Sequence, residues 1–337
     1  MDGELGFTSI DAVAASASGL LAVADRGSCQ IVVFSVNRPG PVRRLSRCGG
    51  GPSELRQVAG LAFRGDTIAA YDPTKQAVLF FDLEGNELRR FAPALLTEAG
   101  TPFGLMGLEN VNDTLMAVGL LLPPGSASHE SQLLALIDAR NGATVRRFLG
   151  DPEISQRNPD NAIRSARFCI AHIDGRAYLA AINNWAFEGV VFSLPELEVV
   201  GHFVTDVPWT RPKHVARDPA GVLRPGPRYA TVGCTSRGFL FRQHRVDETN
   251  KPVRILGGLM EWRDLHGQRL SSRALAPDDS LLQGLAEAGS VNAVYFVTRD
   301  RDGGWPVIRE IVTTGSMDKI DNDKIDNPAD SGQRARG

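Results

Sequence analysis

Two stretches of this chain overlie one another at a fixed offset. LLAVADRGSCQIVVFS (20–35) matches TIAAYDPTKQAVLFFD (67–82), so that Asp25 falls on Asp72 and Phe34 on Phe81, 47 positions apart in both cases. GDTIAA (65–70) returns at the same offset as NDTLMA (112–117). FDLEGNELRRF (81–91) returns as IDARNGATVRRF (137–148) with one extra residue, and in part as RDLHGQRL (263–270) and RPGPVRRL (38–45). A fixed period of this length restricts a chain to repeat architectures, and the content of each period decides which one. Here each period holds four short apolar runs separated by turn residues, the pattern of strands rather than helices. The first unit reads IDAVAAS, LLAVA, QIVVFS and PVRRLS, and the second VAGLAF, TIAAY, AVLFF and ELRRF.

Four antiparallel strands per period make one blade of a β-propeller. The expected fold is all-β: a six-bladed β-propeller of four-stranded antiparallel blades over residues 1–315, then a disordered C-terminal tail over 316–337. The third unit spans runs near 104–149, the fourth about 161–204, the fifth about 229–275, and the sixth begins near 281. The sixth unit supplies three runs, LLQGLAEA, NAVYFVTR and PVIREIVTT. Its fourth strand is expected from the N-terminal ELGFTS, because a closed ring removes unpaired edges. That segment is short, so the native start is expected upstream. The tail SMDKIDNDKIDNPADSGQRARG is polar and lacks period-2 alternation, as disordered segments do.

Composition agrees with this. The 337 residues include 35 glycines and 20 prolines, which suits a turn-rich β chain. A net charge of -2 gives no general attraction to nucleic acid, so none is expected as a partner. No apolar run reaches the roughly 20 residues of a membrane span. DAVAASASGLLAVAD (11–25) has the small apolar residues of a leader, but Asp2, Glu4 and Asp11 precede it and no basic residue does. Cys29, Cys48, Cys169 and Cys234 form no Cys-x-x-Cys pair. Spacing leaves open whether Cys29 and Cys48 pair, with unpaired thiols the simpler reading.

Gly49-Gly50-Gly51-Pro52-Ser53-Glu54-Leu55 stands in the connection between the first two units, and Asp25 and Asp72 close the second strand of each. This pattern resembles the bacterial six-bladed propellers related to NHL and TolB-like propellers, whose members carry a Gly-x-Gly-Pro-Gly-Glu-Phe-type loop before a blade. Ser53 stands for the usual Gly and Leu55 for Phe. The resemblance is strong over residues 10–92. It implies a propeller fold and a chain of the kind often exported or lipid-anchored, and it implies no particular activity.

In a meander the a–b and c–d turns lie at one end, and the b–c turns and inter-blade links at the other. The connections at the second end are the longer ones, which marks a binding face. The glycine loop belongs to that face and reads as a structural turn, since the Gly-Lys-[Ser/Thr] signature of a phosphate-binding loop is absent. Candidate ligand-binding residues on the long loops are Glu54, Asn183, Asn184, Trp185, Trp209, Arg211, His214 and Trp305, a mixture of aromatics, Arg and amides suited to recognition. Asp25 and Asp72 read as caps of nearby backbone N–H groups and, as weak alternatives, as metal ligands. Arg43-Arg44, Arg89-Arg90 and Arg146-Arg147 on the outer strands read as edge protection.

The expected function is a non-catalytic, monomeric binding module for a protein, peptide or glycan, with no cofactor. The alternative is a calcium-dependent lactonase or lyase with the metal on the axis. The histidines stand singly, which argues against zinc. No Gly-x-Ser-x-Gly occurs, which argues against a hydrolase elbow.

Overall fold

The computed structural model describes residues 10–16, 18–25, 28–35, 38–96, 100–101, 103–121, 134–148, 166–183, 188–204, 228–235, 238–247, 254–275, 284–287, 293–299 and 306–312. The first sheet holds β1 (Ile10–Ala15), β2 (Leu20–Asp25), β3 (Gln30–Ser35) and β4 (Arg38–Arg44). The second holds β5 (Gly60–Arg64), β6 (Thr67–Asp72), β7 (Ala77–Phe81) and β8 (Glu87–Phe91). The third holds β9 (Gly104–Asn110), β10 (Leu115–Leu121), β11 (Leu134–Asp138) and β12 (Thr144–Phe148). The fourth holds β13 (Ala166–Ile173), β14 (Arg176–Asn183), β15 (Glu188–Leu194) and β16 (Val199–Val204). The fifth holds β17 (Arg228–Thr235), β18 (Gly238–Asp247), β19 (Arg254–Arg263) and β20 (Arg269–Leu275). The last holds β21 (Gly284–Glu287), β22 (Ala293–Arg299) and β23 (Pro306–Val312).

Each sheet is an antiparallel meander, and the first strands of successive sheets lie side by side, with β21 next to β1. The architecture is an all-β propeller. Complete four-stranded blades number five rather than the six expected, and the last sheet has three strands. Its three strands fall on the three runs of the last unit, but no fourth strand joins it among the described residues. The N-terminal donor segment and the polar tail both lie outside those residues.

Why the strands read as continuous apolar runs is clear from the packing. In β6 and β7, Ile68, Ala70, Leu79 and Phe81 join a core shared with the first blade. The alternate residues Ala69, Tyr71, Val78 and Phe80 join a core shared with the third. A strand buried on both faces shows no polar alternation. Blades converge toward the axis, so second strands carry alanines (Ala22, Ala24, Ala69, Ala70, Ala117, Ala180, Ala181). The third strand of the second blade carries Phe80 and Phe81, all these side chains being buried.

The recurring Asp-x-x-Gly and Asp-x-x-x-Gly turns join the blades. The Asp82 carboxylate accepts the Asn86 N–H, and Asp264 accepts those of His266 and Gln268. The turn glycine then meets the outer strand end of the preceding blade. A β-carbon on Gly85 would lie 2.9 Å from the Leu45 carbonyl oxygen, one on Gly142 2.4 Å from the Phe91 ring, and one on Gly267 2.9 Å from Phe203. Gly142 also has φ +76°, the left-handed region that a β-carbon disfavours by about 1–2 kcal/mol. G142A is therefore expected to lose about 2 kcal/mol or more, lowering the midpoint of thermal unfolding by several degrees. An unchanged midpoint would show that the joint yields freely.

The arginine pairs correct the edge-protection reading in the second and third blades. Arg89 donates to the Arg140 carbonyl at 2.9 Å across the blade boundary and lies 3.8 Å from the Phe80 ring centre. Arg146 reaches the Glu196 carbonyl of the next blade at 3.4 Å. Arg147 bonds the Leu96 carbonyl at 3.1 Å and lies over Phe103. Arg90 pairs with Glu87 at 2.6 Å. The guanidiniums of Arg89, Arg146 and Arg147 are clamps, and the Arg89 and Arg147 groups also lie over aromatic rings.

Candidate functional site

At the end of the a–b and c–d turns, connections run from two residues (65–66) to five (82–86). At the opposite end the inter-blade links 45–59, 92–103, 149–165 and 205–227 hold 15, 12, 17 and 23 residues, and the b–c link 122–133 holds 12. The other b–c links are shorter than expected. Asn183 ends β14 and Glu188 begins β15, so 184–187 spans four residues. Length is thus concentrated between blades rather than within them.

The best-described part of that face is the glycine loop. Cys48 and Leu55 form an isolated parallel bridge, with the Leu55 N–H donating to the Arg47 carbonyl and the Gly49 N–H to the Leu55 carbonyl. Glu54 folds back so that its carboxylate accepts the Gly51 N–H at 2.7 Å. A β-carbon on Gly49 would sit 2.0 Å from that carboxylate, so the glycine makes room for it. Lys75 closes the loop from the neighbouring blade, donating to the carbonyls of Gly51 at 2.8 Å and Glu54 at 2.7 Å. Ser53, at φ +57°, donates its N–H to Glu87 at 2.8 Å. Burial pushes the Glu87 carboxyl up, but the bonds from Arg90 and Ser53 outweigh it and hold the group below its usual range.

The Gly51 N–H is therefore taken by the chain's own Glu54. E54A is expected to cost about 1.5–3 kcal/mol, the worth of a hydrogen bond to a charged group. It should speed amide exchange at Gly51 while leaving the Arg56 amide protected. Equal rates at Gly51 in both proteins would show that the carboxylate does not hold the loop.

The Arg56 amide is protected because Asp72 takes it. The buried Asp72 carboxylate accepts the N–H groups of Arg56 at 2.8 Å, Thr74 at 2.8 Å and Lys75 at 3.2 Å. Asp25 accepts the N–H and hydroxyl of Ser28 at 2.9 and 2.6 Å. Both act as caps, and Asp72 also ties the inter-blade loop to the b–c turn. Among the described residues no group of three His, Cys, Asp or Glu converges as a metal site.

Two disulfides are present, against the unpaired-thiol reading of Cys29 and Cys48. Cys29–Cys48 anchors the glycine loop to the b–c turn of the first blade, with Cα atoms 4.9 Å apart. Cys169–Cys234 joins the inner strands β13 and β17, with Cα atoms 5.6 Å apart. Turn and strand geometry bring these pairs together, which spacing in the chain does not report.

Of the residues singled out from sequence, the structure brings Glu54 and Asp72 together around the glycine loop. The backbone of Asn183 ends β14. Asn184, Trp185, Trp209, Arg211, His214 and Trp305 lie outside the described residues.

Sequence reading missed Glu109. It lies on the inner strand β9 beside Asn110, whose buried side-chain oxygen has no hydrogen-bond partner. Glu109 is partly accessible, yet protein surrounds its carboxyl closely enough that burial pushes it up to about 8. Nothing in GLMGLEN marks this, because period alone does not reveal which strand lines the ring.

No family model matches the chain, and no curated protein matches it. Solved structures do. A member of the DUF4221 family from Bacteroides vulgatus superposes with a TM-score of 0.62 at 9% identity, covering 92% of this chain and 95% of its own. A putative exported protein from Bacteroides fragilis superposes with a TM-score of 0.57 at 12% identity, covering 88% of this chain and 81% of its own. Likeness at such identity establishes the fold alone. The chain is a β-propeller. Neither of these two structures ties this propeller to the NHL or TolB-like groups.

Proposed function

We propose that this propeller is a non-catalytic binding module that takes a protein, peptide or glycan on the face carrying the inter-blade links. The observation that carries this reading is the asymmetry of connection length. One end is closed by turns of two to five residues, and the other carries links of up to 23. Repeat folds with insertions confined to one face use that face for recognition. The glycine loop supplies a fixed rim, held by a disulfide, Asp72 and Lys75.

We further infer that the three-stranded sheet is the sixth blade of a closed ring, since its first strand lies between β17 and β1. Two disulfides support work in an oxidising compartment. A calcium-dependent lactonase or lyase gains no support from the described residues.

The test is selection of binders from displayed peptide and glycan libraries. A variant with 122–133 replaced by a two-residue turn should lose the selected ligand, while D66N, at the short-turn end, should keep it. The reverse pattern would place binding on the other face. A midpoint of unfolding several degrees higher in millimolar calcium than in EDTA would favour the metal-dependent alternative.

A further inference from the structure

The two disulfides differ in what surrounds them. Cys169 is 5% exposed and sits in an apolar cluster with Ala171, Ala180 and Phe203, against which Cys234 also packs. That bond lies between the inner strands of two blades. Cys29–Cys48 is unequal at its two ends. Cys29 is 8% exposed, and its sulfur lies 3.2 Å from the Arg56 carbonyl oxygen. Cys48 is exposed, on the inter-blade link 45–59 of the long-loop face. One sulfur belongs to a buried residue and the other to an exposed one.

The backbone on both sides of this bond is held without it. The Ser46 hydroxyl donates to the Cys29 carbonyl at 3.0 Å and accepts the Ile31 N–H at 3.2 Å. The Leu45 N–H donates to the Ile31 carbonyl at 2.9 Å. Around Cys48, the Leu55 N–H donates to the Arg47 carbonyl at 2.9 Å and the Gly49 N–H to the Leu55 carbonyl at 3.0 Å. Opening Cys29–Cys48 therefore requires no unfolding of the blade. Opening Cys169–Cys234 requires a reagent to enter between packed strands.

We propose that Cys29–Cys48 is a thiol-exchange site, at which a low-molecular-weight thiol takes Cys48 into a mixed disulfide and leaves Cys29 as a thiol. Exchange depends on which sulfur the incoming thiolate can reach, and here the exposed residue is Cys48. A bond forms between the incoming sulfur and Cys48 Sγ as the bond from Cys48 Sγ to Cys29 Sγ breaks. The electron pair leaves on Cys29 Sγ, which takes a proton from water. The incoming sulfur is oxidised to the disulfide level and Cys29 is reduced. The Arg56 carbonyl already stands where the new S–H can donate to it. Binding of a peptide or glycan on this face is not needed for the exchange.

The test treats the folded full chain with reduced glutathione in mildly alkaline buffer, quenches in acid at intervals, blocks free thiols and maps the peptides by mass. The expected product carries glutathione on Cys48 and a blocked thiol on Cys29, with Cys169–Cys234 intact. The exposed bond should open about tenfold faster or more. Circular dichroism should not change as the adduct forms. Two variants supply single thiols, C29S leaving Cys48 and C48S leaving Cys29. Iodoacetamide should alkylate Cys48 in the first about tenfold faster than Cys29 in the second. Absence of the Cys48 adduct, glutathione on Cys29, or opening of both disulfides at one rate would overturn the proposal. Equal alkylation of the two single thiols would overturn it as well.

Discussion

Replacing Cys169 and Cys234 together by alanine is expected to lower stability by about 4 kcal/mol. The bond closes a loop of sequence separation 65, and the entropy it removes from the unfolded chain grows with loop length. Cys29–Cys48, with a separation of 19, should contribute about 3 kcal/mol by the same reasoning. The longer bond also joins the inner strands of two neighbouring blades, so its loss should separate their unfolding. Calorimetry of the double variant is expected to show a lower midpoint and a broadened transition. A midpoint within a degree of the wild type would show that packing alone holds β13 against β17.

Glu109→Gln is the second large effect, and it depends on pH. In the unfolded chain Glu109 ionises near its ordinary value of about 4.3. In the folded protein burial holds its proton up to about 8. Between those values the folded state binds a proton that the unfolded state has released. Stability from this group is therefore complete below pH 4, declines as pH rises through the window, and levels off above the folded value. The glutamine variant should match the wild type in acid and exceed it by roughly 3 kcal/mol above pH 8, allowing for solvent that reaches the carboxyl. Unfolding midpoints from pH 4 to 9 test this. Parallel profiles would mean that Glu109 ionises freely in the folded state.

Much of the architecture could be read from the repeat, for a physical reason. Strands buried on both faces, such as AVLFF, must be apolar throughout, and the turns that begin with Asp82, Asp138 and Asp264 carry a Gly where blades meet. The first demand recurs with every blade and the second with three of them, and together they leave a period. Glu54 was singled out as a ligand-binding residue from its place on the glycine loop, but the structure turns its carboxylate inward to Gly51. The disulfides and the ion pairs were not legible, because they depend on which turns and strands become neighbours after closure. Glu109 was hidden for the same reason. The arginine pairs misled because a motif on an outer strand looks alike whether its guanidiniums cross to the next blade, as Arg146 does, or remain in solvent, as Arg43 and Arg44 do.

The glycine joint between blades has a consequence for how such a chain can change its size. The second blade carries both halves of the joint, a turn glycine, Gly85, for the blade before it and an outer strand end, Phe91, for the blade after it. A duplicate of that blade would arrive with a donor and an acceptor already matched to its neighbours. Its insertion beside the original would leave the existing joints intact, and its cost would fall on the angle at which the ring closes.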